Sequence, residues 1–326
     1  NSYQFANRTN VDSNALADDF MTWDQKRFNE ETRKLYAASL EQAVLLQNTD
    51  ISSISEILSY EGKKSGLRPT LYDFLAHRAI EFYSNGSDND EIGTDEFEVN
   101  SPEFFNIGTN FSSFKITAPR NFYGTYEALL VYQNLVDFRT KKNDIPALIE
   151  LELKRLDNIY ENSISPDKEE LLLNSYNELA NKYTSNGAVA EVYFKIAQII
   201  NGKGVVTDSN GVETNNHKKA LELCETTIKK YPSTDGATNC EALKTSIQNP
   251  ILSIINEDFL IPNKAFKASL NYKNTALIYC KIISIGANEN LGSKGSSKDI
   301  IKNINGKKII KSWSQALPNL NDFKNH

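Results

Sequence analysis

The hydrophobic period of the chain changes at Pro250, and no other feature constrains the fold as much. Before it, apolar residues recur at steps of three and four, the spacing of one helix face. After it the step is two. "AFKASLNYKN" alternates Phe266, Ala268, Leu270 and Tyr272, and "ALIYCKIISI" sets Ile278, Cys280 and Ile282 against Tyr279 and Lys281. The short "KNT" link reads as the turn of an antiparallel unit, one side of a sandwich. "KKIIKSWSQAL" returns as a further strand, and residues 286–299, rich in Gly, Ser, Lys and Asn, read as a loop. The expected fold is mainly α: a helical-repeat, tetratricopeptide-like array followed by an incomplete C-terminal β-domain. Three regions are expected: a helical one over 1–120 with an acidic loop at 84–103, helical hairpins over 121–249 with an insertion at 201–217, and a β-domain over 250–326.

The helical part can be followed segment by segment. A pattern starting near Asp18 places Phe20, Trp23, Phe28, Leu35, Leu40, Val44 and Leu45 at helical steps, and "SISEILSYEG" reads as a short helix stopped by Gly62. In "LRPTLYDFLAHRAIEFY" (Leu67–Tyr83), Thr70 can cap a helix with Asp73 three residues on, and Leu71, Phe74, Leu75, Arg78 and Phe82 share a face. "TYEALLVYQNLVDFRTKKN" stripes Ala128, Leu129, Tyr132, Leu135 and Val136. The next helix opens on Asp144 as cap with Pro146 in its first turn, and stripes Leu148, Leu151, Leu156 and Ile159. Ser165 and Pro166 then open another.

Between 188 and 232, Ala190, Tyr193, Ala197, Ala220 and Pro232 occupy positions like those of a tetratricopeptide repeat. There small residues let helices approach and a proline ends the second helix. The intervening "NGKGVVTDSNGVETNNH" reads as a β-hairpin turning at Asn210-Gly211 in type I′ geometry, and a last helix runs from Asp235 to about Asn249.

With 326 residues, 40% of them hydrophobic, the chain can bury more than one core. A net charge of -6 and a pI near 5.3 argue against nucleic acid as a partner. No run of about 18 apolar residues is present to span a membrane. Asn1-Ser2-Tyr3 lacks an initiator Met and a leader pattern, so the chain reads as a piece of a longer protein.

Few residues suggest chemistry. His77 and Asp73 lie four apart on one helix and can hydrogen-bond, but no Ser or Cys nucleophile is tied to them, so a structural pair is expected. Arg68 and Arg78 can pair with acids on neighbouring helices, and Arg155 among Glu150, Glu152 and Asp157 suggests weak surface or interhelical pairs. His217 reads as exposed on the insertion, and His326 is the last residue. Asp88 and Asp90 have the spacing of calcium-loop ligands, but Ile92 and Val99 stand where later oxygens belong. Cys224 and Cys240 flank a helix and its turn, so either a disulfide or, together with Cys280, buried thiols is open; no CxxC suggests zinc. Tyr123, Tyr126 and Tyr132 are read as core, with a peptide-binding concave face as the other option. No catalytic, cofactor-binding or metal-ligating residue is assigned, no cofactor is expected, and the chain reads as non-enzymatic.

Four blocks in order, "TWDQKRF" (Thr22–Phe28), Leu67–Tyr83, Ala128–Leu156 and Ala220–Ile254, resemble the N-terminal part of the large alpha-2-macroglobulin-like proteins of Bacteroidetes. The resemblance covers most of the chain, and its blocks are packing motifs. It implies a helical region ahead of a string of macroglobulin-type β-sandwich domains. It also implies a parent protein of the periplasm or outer membrane, often lipid-anchored outside this chain, that inhibits or traps proteases. The family's thioester motif, a Cys followed closely by Glu-Gln, has no counterpart at Cys224, Cys240 or Cys280. Partners are therefore expected to be proteins: target proteases or, in the alternative of a tetratricopeptide-like adaptor without trapping, subunits of an outer-membrane complex.

Overall fold

The computed structural model describes residues 23, 25–54, 56, 66–85, 97–119, 124–257, 261, 264–286 and 297–326. The chain is mainly helical with a few small antiparallel sheets. It divides into two compact units, Asn1–Ile196 with Ser233–Gly236, and Ala197–Pro232 with Ala237–His326.

The first unit holds α1 (Gln25–Ser39), α2 (Ala43–Gln47), α3 (Leu71–Asn85), α4 (Thr109–Ser112), α5 (Gly124–Lys142), α6 (Ile145–Asn162), α7 (Lys168–Lys182) and the start of α8 (Val189–Gly202). Its core forms where α3 packs on α5, α5 on α6 and α6 on α7. The stripes expected on α5 and α6 are buried in full. Asp144 caps α6 by accepting from the Ala147 N–H at 3.5 Å, with Pro146 in the first turn. Asn143, at φ +54°, reverses the chain between α5 and α6, a left-handed position that Asn tolerates. Pro166 lies in a turn ahead of α7 rather than inside it, and the Ser165 hydroxyl accepts from the Asp167 N–H at 3.3 Å.

Two expected faces are corrected. On α3 the buried side is Tyr72, Asp73, Ala76, His77, Ala79, Ile80 and Tyr83, while Leu71, Phe74, Leu75 and Phe82 are only half-buried and Arg78 is exposed. The alanines let α5 approach that side closely, and the two polar residues there find partners. In the N-terminal segment, α1 and α2 are separate helices, and Leu35, Val44 and Leu45 are 70%, 75% and 60% exposed. The sequence from Ser53 to Gly62 lies largely outside the described residues, as do Asp88, Asp90, Ile92 and Tyr123; Ile51–Ile54 is a single 3₁₀ turn.

The second unit holds the rest of α8, β1 (Val205–Thr207), β2 (Glu213–Asn215), α9 (Asn216–Lys230), α10 (Asp235–Gln248), β3 (Ile251–Asn256), β4 (Ala268–Lys273), β5 (Leu277–Ile283), α11 (Ser297–Asn305) and β6 (Ile309–Ala316). The insertion is the expected hairpin, β1 against β2, but its turn is not type I′. Gly211 has φ +80°, Asn210 does not enter the left-handed region, and the Asp208 carboxylate accepts from the N–H groups of Asn210 (2.9 Å) and Val212 (2.8 Å). This Asx arrangement replaces the positive φ at Asn210 that a type I′ turn would need.

The strands after Pro250 pair differently from expectation. β4 and β5 do not form a hairpin with each other: β4 is antiparallel to β3, and β5 to β6. "ILSIIN", directly after Pro250, takes the ladder edge that the next strand was expected to fill. Asn274, at φ +53°, then donates its side-chain amide to the carbonyls of Ile247 (2.9 Å) and Asn249 (3.3 Å), which directs the link away from a tight reversal. The period-two expectation holds within β5, where Ile278 is buried and Tyr279 and Lys281 are exposed. Every residue of β3 and of β6 is exposed.

Ala190, Ala197 and Ala220 are fully buried, as expected for close helix packing. Gly236 marks the tightest approach in the first unit: a Cβ there would sit 2.2 Å from the backbone at Ala190 and Glu191. Backbone cannot yield as a flexible side chain does, so Gly236→Ala is expected to destabilise the fold by about 1–3 kcal/mol, read as a lower midpoint in thermal unfolding. An unchanged midpoint would show that α8 and α10 do not meet there.

Candidate functional site

The polar residues of "LRPTLYDFLAHRAIEFY" are held at the start of α3. The Thr70 N–H donates to Asp73 at 2.9 Å and the Asp73 N–H donates to the Thr70 hydroxyl at 3.3 Å, the reciprocal pattern of a capping box. Asp73 also reaches α5. Arg139 donates through Nε to Asp73 Oδ1 at 2.9 Å and through a terminal nitrogen to Asp73 Oδ2, and both residues are almost fully buried, at 2% and 3% exposure. The other terminal nitrogen of Arg139 donates to Asp144 at 3.2 Å. One guanidinium thus ties the start of α3, the end of α5 and the start of α6. Burial lowers the Arg139 pKa, and the Asp144 charge works against that shift.

His77 does not pair with Asp73, whose oxygens are taken by Thr70 and Arg139. Its Nε2 lies 3.9 Å from Glu150 on α6, and Arg68 donates to the other oxygen of that carboxylate. Arg68 pairing with an acid of a neighbouring helix is as expected. Arg78 instead lies over the Phe74 ring at 5.7 Å.

The second cluster overturns the expectation for Arg155. It is not at the surface: Arg155 and Glu152 are both 0% exposed. Arg155 Nε donates to Glu152 at 2.7 Å, its terminal nitrogens donate to the carbonyls of Phe104 and Asn106 at 2.7 Å each, and its guanidinium lies 3.8 Å from the centre of the Phe111 ring. The other Glu152 oxygen accepts from the Gly108 N–H at 2.7 Å. Around it, Ser175 on α7 donates to the Phe105 carbonyl at 2.6 Å, and the Gln133 amide on α5 donates to the carbonyls of Phe111 (2.9 Å) and Phe114 (2.7 Å). The segment "FFNIGTNFSSF" (Phe104–Phe114), which holds the end of a 3₁₀ turn, an irregular link over 106–108 and the short α4, is therefore fastened across α5, α6 and α7 by side chains. Sequence reasoning missed it. The available signal was a cluster of Phe and Ile residues around Gly108, which takes φ +57°.

Other candidates fall into structural roles. Tyr126 packs edge-on to Phe97 with ring centres 5.5 Å apart, and Tyr132 is buried, which raises its hydroxyl pKa by desolvation. Tyr176, also buried, donates to Asp157 at 2.5 Å, and Lys195 pairs with that carboxylate at 2.6 Å. Val99, read as the failed closing position of a calcium loop, is buried and bridges to Ser163.

In the second unit His217 is half-buried at the start of α9 rather than exposed, with Nδ1 2.7 Å from the Asn201 amide oxygen. His326 exchanges backbone hydrogen bonds with Tyr272 (3.1 and 2.9 Å) and places Nε2 3.0 Å from Asp322. Cys224, Cys240 and Cys280 stand as thiols; the first two are buried and Cys280 is half-buried. Among the described residues no group of three or more His, Cys, Asp or Glu is arranged to hold a metal ion. An open hollow of about 370 Å³ lies between Pro102–Asn106 and α7, lined by Glu103, Asn106, Asn174, Ser175 and Glu178 among others. No family profile, curated protein or solved structure matches the chain.

Each oxygen of Asp73 and of Glu152 accepts from a cation or a backbone amide. Arg155→Ala would leave Glu152 buried beside only the Gly108 amide and is expected to cost about 3–5 kcal/mol, measured by urea unfolding. Arg139→Ala should fall in the same range. A cost under about 1 kcal/mol for either would mean that the pair is hydrated and dispensable. His217 gives a pH signature. Burial, then the Lys273 charge, lowers its pKa from the ordinary 6.5. The unfolded chain therefore takes up the proton first, and stability present above pH 6.5 declines as pH falls towards the lowered value. His217→Gln should flatten that part of the stability–pH curve relative to wild type; parallel curves would remove His217 as a contributor.

Proposed function

We propose that this chain is a non-enzymatic scaffold: the helical region and first β-part of a cell-envelope alpha-2-macroglobulin-like protein whose parent traps or inhibits proteases. The observation that carries the scaffold reading is the use of the polar residues. Asp73, Arg139, Glu150, Glu152 and Arg155 link helices and fasten the Phe104–Phe114 segment, and this supports a role in holding shape. The four sequence blocks that resemble the bacterial macroglobulin-like proteins support the setting. The coarser features are in accord: the chain is mainly helical with small antiparallel sheets, and no described helix is long and apolar enough to cross a membrane.

The alternative of a tetratricopeptide-like adaptor in an outer-membrane complex draws on the same helices and on the exposed strands β3 and β6, which leave apolar residues such as Ile254, Ile255, Ile310 and Trp313 in solvent. Exposed apolar surface of this kind suits contact with another protein surface.

The test uses the intact protein that contains this chain, incubated with representative serine, cysteine and metalloproteases. Enclosure leaves the protease site open to small peptides while excluding large substrates. Trapping predicts that cleavage of a folded protein substrate falls at least tenfold while cleavage of a short chromogenic peptide persists. If every protease keeps both activities and the protein instead co-purifies in fixed ratio with an outer-membrane assembly, the adaptor replaces the trap.

A further inference from the structure

Two of the three cysteines are placed as a pair. Cys224 on α9 and Cys240 on α10 each lie eight residues from Pro232, in the turn between the helices. Equal distances from the turn bring two residues level across an antiparallel helix pair. The salt bridge from Lys244 to Glu225, at 2.7 Å, holds the same two helices side by side next to the cysteines. Both cysteines are fully buried. Cys280, on β5, is half-buried.

We propose that Cys224 and Cys240 are a reversible dithiol–disulfide site that closes when the chain meets a low-molecular-weight disulfide of the glutathione type. The step is thiol–disulfide exchange. The Cys224 thiolate attacks one sulfur of the oxidant, a mixed disulfide forms, and the first small thiolate leaves. The Cys240 thiolate then attacks the Cys224 sulfur and expels the second. Two protein thiols are oxidised to one disulfide, one small disulfide is reduced to two thiols, and the two protons lost by the cysteines go to the departing thiolates. Full burial makes the first attack dependent on a local parting of α9 and α10, so closure is slow. The bond would strap the two helices together across the fifteen residues between the cysteines. The inference holds for either functional reading above, because it rests on the helix pair alone.

The test takes the reduced 326-residue chain with a graded excess of oxidised glutathione, followed by intact mass and peptide mapping under non-reducing conditions. The expected product has lost two hydrogens and links the Cys224 and Cys240 peptides. Its thermal midpoint is raised by roughly 5 °C over the reduced chain, and a thiol reductant returns it to the start. Cys280→Ser should still close, and Cys224→Ala and Cys240→Ala should not. If either alanine variant fails to fold, the wild-type peptide map decides alone. Glutathione carried on Cys280 with Cys224 and Cys240 still reduced, or a link that uses Cys280, would overturn the proposal and leave the pair as small core fillers.

Discussion

The first unit depends on a buried cation. Arg155 sits at the centre with no exposed surface, and an unpaired charge there would be prohibitively costly. It is neutralised by Glu152 one turn earlier on the same helix, and its remaining donors go to backbone carbonyls of a different segment. This solves a second problem. The backbone from Phe104 to Asn106 carries its aromatic side chains into the core and brings peptide groups with them, and these need partners once water is excluded. The arginine and this segment satisfy each other, and Gln133 and Ser175 complete the set from α5 and α7.

The Arg139 cluster follows the same logic at the other end of α5. Its two carboxylates are capping residues already, Asp73 at the start of α3 and Asp144 at the start of α6. A residue that caps a helix points its oxygens at the helix end, and a guanidinium placed between two such ends can serve both. Each cluster therefore fixes where elements begin and how they meet, and a buried pair of this kind specifies an arrangement more than it adds net stability. The second unit has no comparable charged core among its described residues. Its β3–β4 and β5–β6 ribbons keep most of their apolar side chains in solvent, and two-stranded ribbons of that kind are marginal by themselves.

Much of the local structure was legible. The stripes on α5 and α6, the Asp144 cap, the Thr70–Asp73 box, the buried alanines, the α10 boundaries and the change of period at Pro250 all follow from rules that act within a few residues. The errors in the helical core share one cause. On α3 the larger residues Leu71, Phe74 and Leu75 suggested the inner face, but small residues on the opposite side allow the closer approach to α5. Asp73 and His77 lie at pairing distance along their helix, yet Asp73 is claimed by an arginine sixty-six residues away. Arg155 has three acids near it in sequence, which looks like a surface pattern, and only the path of Phe104–Phe111 over α6 turns it inward.

The amino-acid sequence by itself determined where the long helices from α5 to α10 lie, where most of them start and stop, and that the chain passes from one period to another, while α4, β3 and α11 carried no signal that was read. Those properties come from neighbours along the chain: caps, turns and the repeat of apolar side chains. Tertiary structure alone decided which face of α3 is buried, which strands pair after Pro250, and that Asp73, Arg139, Glu152 and Arg155 hold the helices together. Those outcomes depend on which distant groups come to share a space without water, and a linear pattern carries no record of that.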